Sequence, residues 1–362
     1  MSQFHPLQIS RVEPETDTAI CVEFAVPDKL KDTFRFLPGQ YLTLQAPIDG
    51  ADLRRSYSIC SGPSEPALRV AIKRIEGGAF STWAHQHLRP GTHIDVMAPQ
   101  GRFVVNTDAM VERQYMCIAA GSGITPMMSI VRAVLEDEPE SRVTLIYGNQ
   151  RTSTIMFREE LGFLKNRYLN RFNWINVLSR EEQDAEVLFG RINNRKGGEL
   201  QAKHLIDIDG TDAFYLCGPE AMISEVSRGL RVAGVTEDRI HYELFFANPL
   251  DAEEVVRKHH ERATKYANTR CEVAVTLDGR THRFDLNADG ENILDAAMNS
   301  GMDVPYSCKG GVCATCKAKL VEGEVDMDLN HSLTAQEVAD GYILTCQAHP
   351  VSERVVVDFD QI

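Results

Sequence analysis

The stretch Pro305-Tyr306-Ser307-Cys308-Lys309-Gly310-Gly311-Val312-Cys313-Ala314-Thr315-Cys316 decides how the chain is read. Its cysteines follow the pattern Cys-x4-Cys-x2-Cys, and Cys346 comes about thirty residues later. This spacing suits a [2Fe–2S] cluster. Three thiolates on one tight loop reach both irons, and a distant fourth closes the site. Pro305, Gly310 and Gly311 suit a loop whose amides point inward, and donors aimed at the sulfurs tune the potential. A four-cysteine zinc site is the competing reading. Such sites usually show paired Cys-x2-Cys knuckles, and here only Cys313 and Cys316 have that spacing. The other five cysteines are scattered; Cys21, Cys60, Cys117 and Cys271 read as inert core, and Cys217 departs from that reading because Gly218-Pro219 follows it. Met1 to Ser10 carries no basic segment followed by an apolar run, so the close cysteines read as metal or redox chemistry rather than disulfides.

Outward from this loop, the rest of the chain must supply what a cluster needs. The chain has 362 residues, enough for two or three domains. Apolar residues make up 43% and charged residues 25%, which excludes a disordered or fibrous chain. With 38 basic and 52 acidic residues the net charge is −14, unsuited to nucleic acid. The segment from Asn268 onward holds 7 basic and 16 acidic residues, so most of the negative charge lies in the last quarter. The longest uncharged run, Gln114 to Val131, is broken by Gly121, Gly123 and Pro126 and does not read as a membrane span. A soluble, cytoplasmic protein is expected.

The first hundred or so residues alternate as short strands: Leu7 to Val12, Ala19 to Phe24, Tyr41 to Leu44, Tyr57 to Cys60, Leu68 to Ile75 and His93 to Met97. Turns such as Pro38-Gly39, Asp49-Gly50 and Gly77-Gly78 separate them, which predicts a sandwich or barrel. From Gln114 the pattern changes to strands alternating with helices, the sign of βαβ units on a parallel sheet. Asp251 to Arg270 is dense in charge and reads as a solvated linker, partly helical. Beyond it, Asp278-Gly279 predicts a hairpin turn, Asn292 to Ser300 a helix closed by Gly301, and Thr334 with Glu337 a capping box.

Gly121-Ser122-Gly123-Ile124-Thr125-Pro126 follows a strand and opens a helix, where backbone amides favour an anion. By itself this could be an ordinary strand-to-helix turn. Arg55-Ser56-Tyr57-Ser58 combines an Arg for phosphate, a Tyr ring that can stack and a Ser hydroxyl that can reach a ring nitrogen. By itself it could be a surface strand.

Together these motifs resemble the ferredoxin–NADP reductase superfamily joined to a C-terminal plant-type ferredoxin. Pro305 to Cys316 and Tyr342 to Gln347 match the ferredoxin loop and the strand holding its fourth ligand. The resemblance implies Cys308, Cys313, Cys316 and Cys346 as cluster ligands. It implies a flavin site at Arg55, Ser56, Tyr57 and Ser58, supported by Val70 to Lys73 and by a diphosphate loop at Gly78, Ala79, Phe80 and Ser81. That loop favours FAD over FMN. Gly121, Gly123, Thr125 and Pro126 match the first nicotinamide loop, and Cys217, Gly218 and Pro219 the second. Arg151, Ser179 and Arg180 are placed to grip a 2′-phosphate, which favours NADPH; solvated loop arginines are the alternative. Gln150 is an extra residue ahead of Arg151. Ser58, Cys217 and Glu243 are the expected catalytic groups, with Glu243 also readable as a strand-end carboxylate in water. Phe245 and Phe246 are placed to cover the flavin.

The implied fold is multidomain. A FAD-binding β-barrel spans 1–109, an NAD(P)-binding α/β domain 110–247, a charged linker 248–267 and an α+β β-grasp ferredoxin domain 268–362. The order matches reductases of multicomponent oxygenases. The expected route is NADPH to FAD to [2Fe–2S] to a separate di-iron oxygenase. None of the eleven histidines has Glu three residues before it, so no Glu-x-x-His di-iron motif is apparent in this chain. The competitors are a reductase for a ring- or steroid-hydroxylating system and a non-catalytic iron–sulfur redox sensor.

Overall fold

Alternating apolar and polar residues make the first hundred residues a sheet. The computed structural model describes residues 3–244, 249–266 and 269–361. Within the first of these stretches, β1 (Phe4–Thr16), β2 (Ala19–Ala25), β3 (Tyr41–Ile48), β4 (Ala51–Ser58), β5 (Leu68–Lys73), α1 (Ala79–His87) and β6 (His93–Met97) follow in sequence. The strands lie in the order β4-β3-β6-β1-β2-β5. Just past β4, Ile59 bridges Val70 of β5, so the two end strands meet and the sheet closes into a barrel. Residues two apart, such as Leu7 and Ile9, point into its core with Val22, Leu44 and Ile72. Asp49 and Gly50 both adopt positive φ, 53° and 81°, which gives the hairpin turn between β3 and β4 the twist its strands need. The expected strand Tyr57 to Cys60 instead begins at Ala51 and ends at Ser58.

The next segment is doubly wound. Its elements are β7 (Gln114–Ala120), α2 (Ile124–Asp137), β8 (Arg142–Asn149), α3 (Arg158–Arg167), β9 (Phe172–Leu178), α4 (Lys196–Ala202), β10 (Ala213–Gly218), α5 (Glu220–Val232) and β11 (Ile240–Leu244). The strands run in the order β11-β10-β7-β8-β9, and every neighbouring pair is parallel. Met127, Val131 and Leu161 of α2 and α3 belong to one core, and Leu200, Ile223 and Val226 of α4 and α5 to another, so the sheet is covered on both faces. Strand order reverses between β7 and β10, where sheets of this kind bind ligands at their carboxyl ends.

An ion-pair network joins barrel to sheet. Arg69 of β5 donates to Glu65 at 3.2 Å and to Glu160 of α3 at 3.1 Å. Arg132 of α2 donates to Glu65 at 2.5 Å and also to Glu160. Each carboxylate thus serves two guanidinium groups, and all four side chains are mostly shielded from water.

The chain divides into two compact units. One comprises His5–Leu53 and Tyr57–Phe245. The other comprises Met1–Phe4, Arg54–Ser56 and Phe246–Ile362. In the second, α6 (Pro249–Lys265) precedes β12 (Arg270–Leu277), β13 (Arg280–Asn287), α7 (Ile293–Asn299), β14 (Lys317–Glu322), β15 (Val325–Met327), α8 (Ala335–Ala339), β16 (Tyr342–Leu344), β17 (Ala348–Pro350) and β18 (Arg354–Asp358). The sheet order β13-β12-β18-β14-β16, with β12 and β18 parallel, gives the expected β-grasp arrangement. Asp278 and Gly279 form the hairpin turn at φ 51° and 70°. Asn292 caps α7 by accepting from the Asp295 amide, and Thr334 with Glu337 forms the capping box of α8.

The segment that reads in sequence as a solvated linker is in large part a helix, and Arg262 within it is almost wholly buried. A charge run looks solvated in sequence, because the partners that bury it lie more than sixty residues further on. Phe245 and Phe246, and the boundary residues 247, 248, 267 and 268, lie outside the described residues. Among the described residues no helix is long and apolar enough to cross a membrane.

Hydrogen bonds to charged groups are worth about 1.5–3 kcal/mol. Arg132→Met should therefore lower folding stability by about 2 kcal/mol in a urea titration. An unchanged midpoint would mean that the network adds nothing.

Candidate active site and cluster loop

β7 ends at Ala120 and the chain turns at Gly121, φ 54°, whose carbonyl accepts the Tyr147 hydroxyl at 2.9 Å. A Cβ on Gly123 would stand 2.1 Å from the Cys217 carbonyl oxygen. The loops after β7 and β10 therefore touch backbone to backbone, and only glycine fits. Gly218 is less confined, since its Cβ position would meet the movable end of Met222, Cε, at 2.8 Å. Thr125 is buried and donates to the Ser122 carbonyl at 3.0 Å. Pro126 sits in the first turn of α2, where a missing amide hydrogen costs nothing, and Pro219 stands just ahead of α5.

The three expected catalytic residues meet at these strand ends. Ser58 is buried at the end of β4 and its hydroxyl donates to Glu243 Oε2 at 3.4 Å. Glu243 pairs in register with Cys217 across β10 and β11. Burial pushes the Glu243 carboxyl up to about 8, against the pull of the Ser58 donor. Burial, then the nearby Glu243, drives the Cys217 thiol well above its ordinary range. Lys73 at the end of β5 brings Nζ to 3.7 Å from where a Cβ on Gly121 would stand.

Tyr57 of the barrel packs against α1. Tyr57 lies 5.9 Å, ring to ring, from Phe80, which is buried. Gly77 turns at φ 73°, Gly78 precedes α1, and Ala79 opens it. The stretch expected to be a diphosphate loop is thus a turn leading into a helix N-terminus. Ser81 is buried and its hydroxyl accepts the Ile75 amide at 3.1 Å, so it fastens the turn. Arg55 is exposed and donates to the Arg54 carbonyl at 2.7 Å, while Ser56 is half-buried.

Arg151 and Arg180 leave neighbouring strands, β8 and β9, and both are exposed. The Arg180 amide donates to the Gln150 carbonyl at 2.9 Å, so the extra residue becomes a backbone tie between them. Ser179 donates through its hydroxyl to the Asn149 carbonyl at 3.3 Å. Glu181 accepts the Thr152 amide at 3.0 Å, and that residue's hydroxyl and amide hold its carboxyl below the usual range.

In the cluster loop, Lys309, Gly311 and Ala314 all adopt left-handed backbone, φ 53°, 71° and 54°. These turns face amides toward sulfur: Gly310 and Cys313 donate to Cys308 Sγ at 3.3 and 3.4 Å. Among the described residues no three His, Cys, Asp or Glu side chains converge on one ion. The four thiols meet instead as two hydrogen-bonded pairs, Cys308 with Cys313 and Cys316 with Cys346. Cys308 is lowered to about 5 by the Cys313 hydrogen bond and by loop amides, against burial. Cys346 is lowered chiefly by its bond with Cys316. Two thiol pairs, rather than four thiols around one point, fit a two-iron cluster. Sequence reasoning did not single out Thr315, which donates to Cys313 Sγ at 3.1 Å, or Gln347, which reaches Cys346 Sγ at 3.6 Å. Their only sequence signal is adjacency to a ligand. It also missed Tyr147, whose partner Gly121 is remote in sequence.

Comparison with known proteins defines the class first. Residues 7–105 match the oxidoreductase FAD-binding domain, 117–228 the oxidoreductase NAD-binding domain, and 275–351 the 2Fe-2S iron-sulfur cluster binding domain. The chain is thus an oxidoreductase combining FAD, NAD and [2Fe–2S] domains. It is 44% identical to a subunit of 1,2-phenylacetyl-CoA epoxidase from Escherichia coli (strain K12), across 99% of both chains. It is 31% identical to the ferredoxin reductase component of 3-ketosteroid-9-alpha-monooxygenase of Rhodococcus rhodochrous, across 98% of this chain and 96% of that one. Phthalate dioxygenase reductase shares the fold over 98% of both chains, with a TM-score of 0.61 at 23% identity. The chain belongs to the family of oxygenase reductases in which this component of 1,2-phenylacetyl-CoA epoxidase falls.

Two outcomes follow from this geometry. Gly123→Ala forces the Cys217 loop to move, and should lower stability by about 2 kcal/mol or more and weaken nucleotide binding, read by urea titration and calorimetry. In flavin-free protein Glu243 binds its proton more tightly folded than unfolded. Stability should therefore fall as pH rises from about 4.5 toward about 8, and Glu243→Gln should flatten that slope. An identical slope in the variant would place Glu243 in water.

Proposed function

We propose that this chain takes electron pairs from NADPH and delivers them singly to a separate oxygenase. The observation that carries the reading is the meeting of Ser58, Cys217 and Glu243 at the carboxyl ends of a nucleotide-binding sheet, in a chain that also holds two thiol pairs. When bound, flavin supplies the conversion between a two-electron donor and a one-electron acceptor, and the cluster supplies the single-electron exit.

The residues divide the work. Tyr57 would stack on the flavin ring, and Ser58 Oγ, held by Glu243, would bind its reactive nitrogen. Gly78, Ala79, Phe80 and Ser81 present the first turn of α1 to the diphosphate of FAD. By the resemblance alone, Arg55 and Ser56 are also flavin-binding residues, Arg55 as the phosphate-pairing cation. Lys73 sets a positive charge beside Gly121. Gly121, Gly123, Thr125 and Pro126 form one wall of the nicotinamide site and Cys217, Gly218 and Pro219 the other. Cys217, buried and so kept as the neutral thiol, places no charge behind that wall. Glu243, its carboxyl raised by burial before flavin binds, accepts the Ser58 hydroxyl hydrogen and so orients Ser58 Oγ. Cys308 and Cys313 would hold one iron, and Cys316 and Cys346 the other.

Arg151 and Arg180, tied side by side, favour a 2′-phosphate and hence NADPH. Ser179 sets the strand exit they share. The likeness to the phenylacetyl-CoA epoxidase component supports, as partner, a di-iron oxygenase that epoxidises phenylacetyl-CoA in phenylacetate breakdown, in the cytoplasm. The acidic ferredoxin segment suits docking on a basic surface, so association should weaken with salt.

A lost charge-assisted contact costs about 1.5–3 kcal/mol. Arg180→Ala and Arg151→Ala should each raise KM for NADPH about tenfold or more and leave NADH unaffected. Equal losses for both coenzymes would remove the 2′-phosphate assignment. For the partner, anaerobically reduced protein mixed with the di-iron oxygenase should be reoxidised at its cluster. A cluster that stays reduced would exclude that pairing.

A further inference from the structure

Helix α6 carries two cations into the back of the cluster fold. Lys258 Nζ donates to the carbonyls of Met327 and Asp328, both at 2.8 Å. One turn later Arg262, whose side chain is 2% exposed, donates to Asp326 at 2.9 Å and to Asp328. Asp328 is itself buried, and its second oxygen meets His349 Nε2 at 3.1 Å. Burial opposes its ionisation, but His349 and Arg262 hold the carboxyl below the usual range.

This buried group is wired to the fourth cluster cysteine by short steps. The Asp328 amide donates to the Gln347 carbonyl at 2.9 Å. Gln347 follows Cys346, and its side-chain amide donates to the Lys309 carbonyl at 2.9 Å and reaches Cys346 Sγ at 3.6 Å. β15 and β17 pair Asp326 with His349 and Met327 with Ala348, so the acidic strand lies along the segment that leaves Cys346. From the same stretch Leu329 and His331 close on Gly311 of the ligand loop.

Stability alone gives weak reason to bury such a group. Replacing a buried ion pair with apolar residues is often neutral or stabilising, because desolvation offsets the attraction. Cluster potential, in contrast, responds directly to net charge and to hydrogen bonds at the sulfurs. In a low-dielectric interior an unneutralised carboxylate disfavours an added electron, and an unneutralised guanidinium favours it.

We propose that Arg262 is a positioning residue for electron delivery: from the segment before the ferredoxin sheet, it neutralises Asp328 behind Cys346 and so sets the cluster potential. This rests on the reductase reading above. It gives α6 a role beyond connection, since the helix supplies the permanently charged partner of Asp328, opposite His349 on β17.

The test is an anaerobic potentiometric titration of the holoenzyme, followed by electron paramagnetic resonance of the reduced cluster. NADPH–ferricyanide and NADPH–cytochrome c activities and cluster content are measured alongside. Arg262→Met should shift the potential downward by the equivalent of about a tenfold change in the one-electron equilibrium, about 59 mV. Asp328→Asn should shift it upward by a similar amount. The double variant, with both charges removed, should return near the wild-type value, as should Arg262→Lys. Ferricyanide reduction at the flavin should be unchanged throughout. Variant potentials that coincide with wild type, or that all move the same way, overturn the proposal while leaving the reductase reading intact. A wild-type protein with no reducible cluster overturns the reductase reading itself.

Discussion

Four sulfur atoms must arrive as two pairs, and the ferredoxin fold is built around that requirement. A single ion draws its ligands to one point, whereas two bridged irons need separate pairs a short distance apart. The chain meets this by bending three residues of one loop into left-handed backbone. For Lys309 and Ala314, which are not glycines, that conformation costs of order 1–3 kcal/mol each. The strain places the Gly310 and Cys313 amides against Cys308. Those donors favour thiolate over thiol, and thiolate is the form that binds iron.

The other end of the electron path obeys a different constraint. Hydride transfer needs near contact between two flat rings, so the protein must fix two nucleotide-binding surfaces against each other. The contact of Gly123 with the Cys217 carbonyl leaves no room for a methyl group, which holds the two loops in one relation. The network of Glu65, Arg69, Arg132 and Glu160 holds the barrel to the same sheet. Ser58 thereby reaches Glu243 although 185 residues separate them. Precision at the reacting atoms comes from backbone contact and shared carboxylates well outside the reacting groups.

Much of this is legible in the sequence because its signals are local. Cys308 to Cys316, the Asp278-Gly279 hairpin and the Thr334 capping box each fit within twelve residues and carry their own geometry. The strand-to-helix turn at Gly121 is equally local. What the sequence does not reveal depends on distant partners. The charges of α6 look solvated until Asp326 and Asp328 come back beside Arg262. The start of α1 reads as a loop because Gly77-Gly78 dominates it, while the apolar residues that bury the helix, Phe80 and Ala84, are few. Tyr147 looks like an ordinary core aromatic until its hydroxyl is found on Gly121. Lys73 stands out in sequence by its strand alone, and its approach to Gly121 emerges only when barrel and sheet are seen together.

The mechanism stands on the conversion of a hydride into single electrons by one polypeptide through two resident redox groups. Its most direct test is a stepwise anaerobic titration of the purified holoprotein with NADPH, followed by visible absorption and electron paramagnetic resonance, with flavin and iron quantified. One FAD and two irons per chain are expected, with bleaching of the flavin band and a one-electron cluster signal that grows with added NADPH. A flavin that bleaches while the cluster stays oxidised and silent, or a protein that holds neither group after reconstitution, would contradict the mechanism.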